Sequence, residues 1–213
     1  ISGLETTDAR NEYYTNYADL AHQWIEDKIA KSTALVNEHF DNFRISDALM
    51  ELYKLTRDEF SGWYLEMIKP NFGDPIPQED LNKAVANFDI ILRLLHPFMP
   101  FITEELWQAL EEKDNIFINQ QEWPKFNQDI NQTINNQVFT LISEIRAKRN
   151  ENGISPKVEA KVSVLSKDMQ AYTSVEGIIS KLANVSQLHT QAQEGFKVLV
   201  GTDEVSIEFK DFV

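Results

Sequence analysis

The chain has 213 residues, 42% apolar and 25% charged, which provides for a packed domain with a smaller companion and excludes wholesale disorder. It holds no cysteine, which excludes a disulfide scaffold, a thiolate metal site and cysteine catalysis, and suits a reducing, cytoplasmic setting. Its net charge of −14 excludes indiscriminate nucleic-acid binding, because phosphate contacts need Lys and Arg.

The charge is uneven. Residues 1–127 hold 11 basic against 23 acidic residues, net −12, whereas residues 128–213 hold 9 against 11, net −2. Any RNA contact is therefore expected to be local. No apolar stretch approaches the roughly 18 residues that span a bilayer, so no membrane partner is expected. Ile1 is not an initiator Met, and Ile1 to Asp8 has neither a basic nor an apolar leader region, so the chain reads as a piece of a longer one.

From Tyr17 the apolar period is helical. Ala21, Ile25, Ile29, Ser32, Val36 and Phe40 share one face. After Asp41-Asn42 a second helix is predicted through Ile45, Leu49, Leu52, Thr56, Phe60, Trp63 and Met67, with Ser46 as cap and Pro70 as stop. A third starts near Pro77 and carries Leu81, Val85, Phe88, Ile91, Leu92 and Leu95 up to His96-Pro97. A shorter helix is expected with Thr103 as N-cap and Ile102 stapled onto Trp107. Asn115 to Gln128 reads as a polar connection carrying Trp123-Pro124. Ile134, Val138, Leu141, Ile142 and Ile145 mark a last long helix, closed by Asn152-Gly153.

The period then falls to two. Val158, Ala160, Val162 and Val164 alternate with polar residues as a half-buried strand does, Ile178, Ile179 and Leu182 suggest a short helix, and Lys197–Val200 with Val205–Phe209 reads as a hairpin around Gly201-Thr202-Asp203. The fold class is mainly α: a connection over 1–16, a helical bundle over 17–153 and a small α+β unit over 154–213.

Chemistry-bearing patterns are sparse. The four histidines show no metal-ligand spacing. Asp19-x-x-His22 has the carboxylate–x–x–His form of di-iron bundles without the second copy such sites need, so His22 is read as a helix-surface residue. Glu104-Glu105 sits in a helix first turn, where the dipole accounts for it, and Glu111-Glu112 is a further acidic pair. Neither a Gly-rich phosphate loop nor a nucleophile elbow occurs. Arg146, Lys148 and Arg149 cluster in the last turns of a helix. Two readings stand: cations complementing a helix C-terminus, or a phosphate-contacting ridge, with Arg44 and Lys69 as weaker candidates at other helix ends. Trp63-Tyr64 has the look of a base-stacking platform, but Trp63 falls on the apolar stripe and reads as core.

Two segments carry a family resemblance: Asp58-Glu59-Phe60-Ser61-Gly62-Trp63-Tyr64-Leu65-Glu66-Met67-Ile68-Lys69-Pro70, and Leu94 to Trp107 with its His-Pro-Phe-Met-Pro-Phe-Ile-Thr-Glu-Glu run. Both resemble the anticodon-binding region of valyl-tRNA synthetases, class I aminoacyl-tRNA synthetases. Trp123-Pro124, and Arg146 followed by Pro156, match further landmarks. The likeness is strong over about residues 17–157 and weak in the tail. In physical terms Pro97 and Pro100 lock a corner that Phe98, Met99 and Phe101 are expected to fill. The resemblance implies a bundle that cradles the anticodon stem-loop of valine tRNA within a parent enzyme that uses ATP with Mg2+. The His-Ile-Gly-His and Lys-Met-Ser-Lys-Ser signatures that hold ATP in the family are absent from this sequence. The fragment is therefore expected to hold no cofactor and to be inactive alone. A non-catalytic protein-interaction module derived from such a domain is the competing expectation.

Overall fold

The computed structural model describes residues 5–8, 12–71, 73–110, 116–126, 134–191 and 194–210. They form two compact units, residues 1–133 and 134–213. The helix after Ile134 therefore belongs with the sheet, some twenty residues ahead of the change in period near Gly153. That change marks a switch of element type, while the division of contacts lies earlier.

In the first unit, β1 (Thr6–Thr7) pairs in parallel with β2 (Ile76–Pro77). Helix α1 (Glu12–Asp41) starts five residues before the predicted Tyr17 and buries Ala18, Ala21, Ile25, Ile29 and Val36. The predicted second helix is one rod of three parts: α2 (Ile45–Lys54), a π-helical segment (Leu55–Tyr64) and α3 (Leu65–Ile68). Ser46 is not its cap, since the helix already starts at Ile45 and Arg44 takes the cap position with no side-chain bond. The wider π turn also shifts the inward face. Leu52, Leu55, Phe60, Tyr64 and Met67 are buried, so Tyr64 rather than Trp63 points inward, and Ile45 and Leu49 lie exposed.

Helix α4 (Gln78–Leu95) follows Pro77 as predicted, and α5 (Pro100–Leu110) starts three residues before Thr103. Thr103 is thus inside the helix. Its hydroxyl donates to the Met99 carbonyl at 2.7 Å and meets His96 Nδ1 at 2.8 Å, which ties the α4–α5 corner. The expected staple does not form: Ile102 is exposed, and Trp107 packs instead with Leu92, Ile118, Phe88 and Leu110. Glu104 accepts from the Ile118 amide at 3.0 Å and from Gln108 at 2.8 Å, so this carboxylate fastens the following segment to α5. The Glu111-Glu112 pair and part of the connection lie outside the described residues. Leu92→Ala is expected to cost about 2–5 kcal/mol, as buried large-to-small changes do. Urea melts of the variant and the parent chain check this, and coincident midpoints would remove Leu92 from the core.

In the second unit α6 (Asn136–Glu151) is capped by Asn135, whose side chain accepts from the Gln137 amide at 3.0 Å. It ends where Gly153 takes φ +64°, the left-handed conformation that glycine adopts without a Cβ penalty. A sheet in the order β4-β3-β6-β5 follows. It comprises β3 (Ala160–Leu165), β4 (Val185–His189), β5 (Phe196–Val200) and β6 (Asp203–Phe209), with α7 (Gln170–Thr173) and α8 (Glu176–Ala183) between β3 and β4. β3 runs parallel to β4 and antiparallel to β6, and β5–β6 is the predicted hairpin. Val162, Val164, Val205, Ile207 and Phe209 line the covered face, and α6 and α8 supply Leu141, Ile142, Ile145, Ile178 and Ile179 to the same core.

Candidate nucleic-acid interface

The predicted cations take different environments. Arg44, in the turn between α1 and α2, is half exposed, with Glu38 at 3.6 Å and Asp47 at 3.8 Å. Lys69 follows α3 with Glu66 at 3.4 Å. Lys148 is held at 2.7 Å by Glu151, whose hydrogen bond and charge raise its ammonium above the ordinary range. Arg146 is exposed on α6, and its Nε and Nη2 donate to the Leu182 carbonyl at 3.2 and 2.9 Å.

Arg149 leaves the ridge. It is buried, 3% exposed, and its guanidinium donates to the carbonyls of Ser155, Val158, Ala183 and Asn184. The plane lies over the Phe209 ring at 4.8 Å, a cation–π contact, and desolvation lowers its pKa from the ordinary arginine value. Such a group is spent on the fold, both its terminal nitrogens being engaged by backbone carbonyls. The spacing carried this signal: Val138, Ile142, Ile145 and Arg149 are separated by four, three and four residues, so Arg149 continues the apolar stripe of α6.

The aromatic surface also differs from the expected one. Trp63 is half buried and Tyr64 fully buried, its hydroxyl 2.9 Å from His22 Nδ1. His22 is not a surface residue: it is 3% exposed, and Nε2 lies 2.7 Å from Asp80 Oδ1. Phe98 stacks on Phe40 with centroids 5.9 Å apart, and Trp123 packs on Phe40 at 6.0 Å while its Nε1 donates to Asn37 at 2.9 Å. Phe98 thus occupies the corner as expected, but Phe101 does not fill it. Phe101 is 90% exposed and Phe43 is 89% exposed, each three residues beyond a member of the Phe40–Phe98 pair and hence at the same end of the bundle.

Phe43 adopts φ +57°, a conformation that costs a side-chain-bearing residue about 1 kcal/mol. Its amide donates to the Phe40 carbonyl at 3.0 Å, so it closes α1 in the place where Asn or Gly is usual. The ring is presented to solvent beside Arg44. Two open phenyl faces with a cation alongside can stack unpaired bases. Among the described residues no group of three His, Asp or Glu side chains is placed to hold a metal, and no helix is long and apolar enough to cross a membrane.

The sequence that folds into these elements has a counterpart among known proteins. The family described as the anticodon-binding domain of tRNA ligase matches residues 22–164. This chain belongs to that family. The match runs from His22 on α1 to Val164 on β3, and so takes in Phe43, Phe101 and all of α6.

The chain is also 36% identical to the valine–tRNA ligase of Phocaeicola vulgatus, over the whole chain and 24% of that protein. It is 33% identical to that of Parabacteroides distasonis over 91% of the chain and 23% of the relative. It is 46% identical to that of Porphyromonas gingivalis over 44% of the chain and 11% of the relative. The anticodon-binding domain chain thus spans about a quarter of the length of the first two relatives.

Proposed function

We propose that this chain is the anticodon-binding region of a valine–tRNA ligase and holds the anticodon stem-loop of valine tRNA. Valine activation, with ATP and Mg2+, is assigned to another part of the parent protein, and the cytoplasm is its place of work. The observation that carries this reading is the likeness of the whole of this chain to 24% of a valine–tRNA ligase, joined to the family match over 22–164. The exposed rings fit it physically. Sequence-specific RNA recognition targets unpaired loops, where bases stack on aromatic side chains and offer their edges to donors. Phe43 and Phe101 supply the faces, on a body acidic enough to repel RNA elsewhere.

Binding of a valine tRNA transcript by the 213-residue chain tests the reading, with the same transcript carrying a changed anticodon as comparison. Preference for the valine anticodon is expected. Phe43→Ala and Phe101→Ala should each weaken binding by about 1–3 kcal/mol, the usual worth of one base–aromatic stack, with melting curves close to the parent. Equal affinity for both transcripts would remove the anticodon assignment. Tight capture of a protein by the Phe43–Phe101 surface, together with no RNA binding, would establish the interaction-module alternative.

A further inference from the structure

The cap of α6 holds a reactive pair of residues. Asn152 is the one asparagine of the chain that precedes a glycine. Glycine has no side chain to crowd its nitrogen, so the Gly153 amide can act as a nucleophile toward Asn152 Cγ. In that step an N–Cγ bond forms and the Cγ–Nδ2 bond breaks. The amide proton passes through solvent to the leaving nitrogen, which departs as ammonia. Water then opens the five-membered imide, at Cγ to give aspartate or at the main-chain carbonyl carbon to give isoaspartate. Water is the only co-reactant. Gly153 is exposed, and no other part of the chain comes within 4 Å of the place a Cβ would take, so water reaches the site.

The fold keeps the two reacting atoms apart. Ring closure needs the Gly153 nitrogen to eclipse Asn152 Cβ about the Cα–C bond. At φ −103° and ψ 7° it eclipses the Asn152 nitrogen instead, a tetrahedral step away from Cβ. Both groups are also tied. Asn152 Nδ2 donates to the Lys148 carbonyl at 2.8 Å, and the Gly153 amide donates to the Asn150 carbonyl at 3.3 Å. Turning ψ through that step swings Gly153 away from the helix end and pulls the Ile154 amide off the Arg149 carbonyl, now 2.8 Å away. The ring therefore cannot close until the whole cap opens, and such openings are local events with their own free energy. The product cannot rebuild the cap. Aspartate at 152 puts an acceptor where the Lys148 carbonyl had a donor, and a negative charge on the negative end of α6. Isoaspartate lengthens the main chain by a methylene just before the left-handed Gly153. The loop that follows carries the Ser155 and Val158 carbonyls engaged by Arg149, which also holds Ala183 and Asn184, so the disturbance reaches the end of α8.

We propose that Asn152 is a site of spontaneous deamidation gated by the α6 cap: closed while the cap is formed, open when it releases. Conversion of Asn152 then loosens the second unit further. The site is independent of the tRNA-binding reading above and stands or falls without it.

The test incubates the 213-residue chain at mildly alkaline pH, folded in buffer and unfolded in urea. Peptide mass spectrometry and labelling with an isoaspartyl methyltransferase follow residue 152. In urea, conversion at 152 should outpace that at every other asparagine. In the folded chain it should be about 10–100-fold slower, the protection expected when a few hydrogen bonds must open first. Arg149→Lys, which weakens the hold on the loop after α6, should raise the folded rate and leave the rate in urea alone. Asn152→Asp, the product without the isomerised backbone, should lower the urea midpoint followed by circular dichroism. Equal rates at 152 in buffer and in urea would overturn the gate. Residue 152 unchanged in urea while other asparagines convert would overturn the site. A midpoint for Asn152→Asp equal to that of the parent chain would overturn the loosening of the second unit.

Discussion

Arg149→Ala is expected to destabilise the second unit by about 3–5 kcal/mol, the range for removing one partner from a buried charged assembly. The side chain is 3% exposed and donates to four carbonyls: Ser155 and Val158 from the loop after α6, and Ala183 and Asn184 from the end of α8. One guanidinium on α6 thus joins the loop after that helix to the end of α8. Truncation leaves buried acceptors without donors, at about 1–3 kcal/mol each where water does not replace the lost group. It also removes the plane packed on Phe209. Arg149→Lys should recover less than half, because an ammonium is a point donor and cannot reach four acceptors in a fork. Urea unfolding followed by circular dichroism measures the loss. Faster exchange of the Ala160 amide, which donates to the Asn184 carbonyl at 3.0 Å, should accompany it. An unchanged unfolding midpoint would mean that the carbonyls find water at no cost and that the clamp is incidental.

What was legible in the sequence follows from how local each signal is. The faces of α1, α4 and α6 and the β5–β6 hairpin were readable because period 3.6 and period 2 are set within a few residues. The π-helical segment was not, because one widened turn leaves composition unchanged and only moves the inward face from Trp63 to Tyr64. Thr103 and Ser46 looked like caps because both are good N-cap residues, yet α5 begins at Pro100 and α2 at Ile45. β4 escaped because Val-Ser-Gln-Leu-His is short, apolar at only two of its five positions and paired in parallel with β3 across two helices. The cation cluster was visible, but its sorting was not. Arg149 finds carbonyls more than thirty residues away, while Arg146 meets Lys181 only across a hollow that folding creates. The exposure of Phe43 depends on a left-handed backbone at a non-glycine residue, which no propensity predicts.

Asp80→Ala is expected to cost the first unit about 3–5 kcal/mol as well, for a related reason. Asp80 is fully buried in the first turn of α4, where the positive end of the helix favours a carboxylate. It lies 2.7 Å from His22 Nε2 on α1, and His22 Nδ1 lies 2.9 Å from the Tyr64 hydroxyl at the end of the π-helical segment. Three elements thus meet on one chain of polar groups inside an apolar core. Removing Asp80 takes the Nε2 partner from a buried imidazole, and removing His22 takes one partner from a buried carboxylate. Replacing both with leucine should cost less than the sum of the single changes, because neither member of the His22–Asp80 pair is then left buried without the other. The network also sets a pH limit. Burial, the largest cause, pushes the Tyr64 phenol well above its ordinary value of about 10, so the native state keeps a proton that the unfolded chain gives up. The contribution is therefore whole below about pH 10 and falls as pH climbs from there toward the raised native value. Tyr64→Phe should lower stability near pH 7 by about 1–3 kcal/mol, by leaving His22 Nδ1 without its partner, and should flatten the alkaline decline. Urea melts at pH 7, 9 and 11 on the single and double variants measure both effects. A double variant as costly as the sum, or an alkaline slope unchanged in Tyr64→Phe, would show that the three groups do not act as a unit.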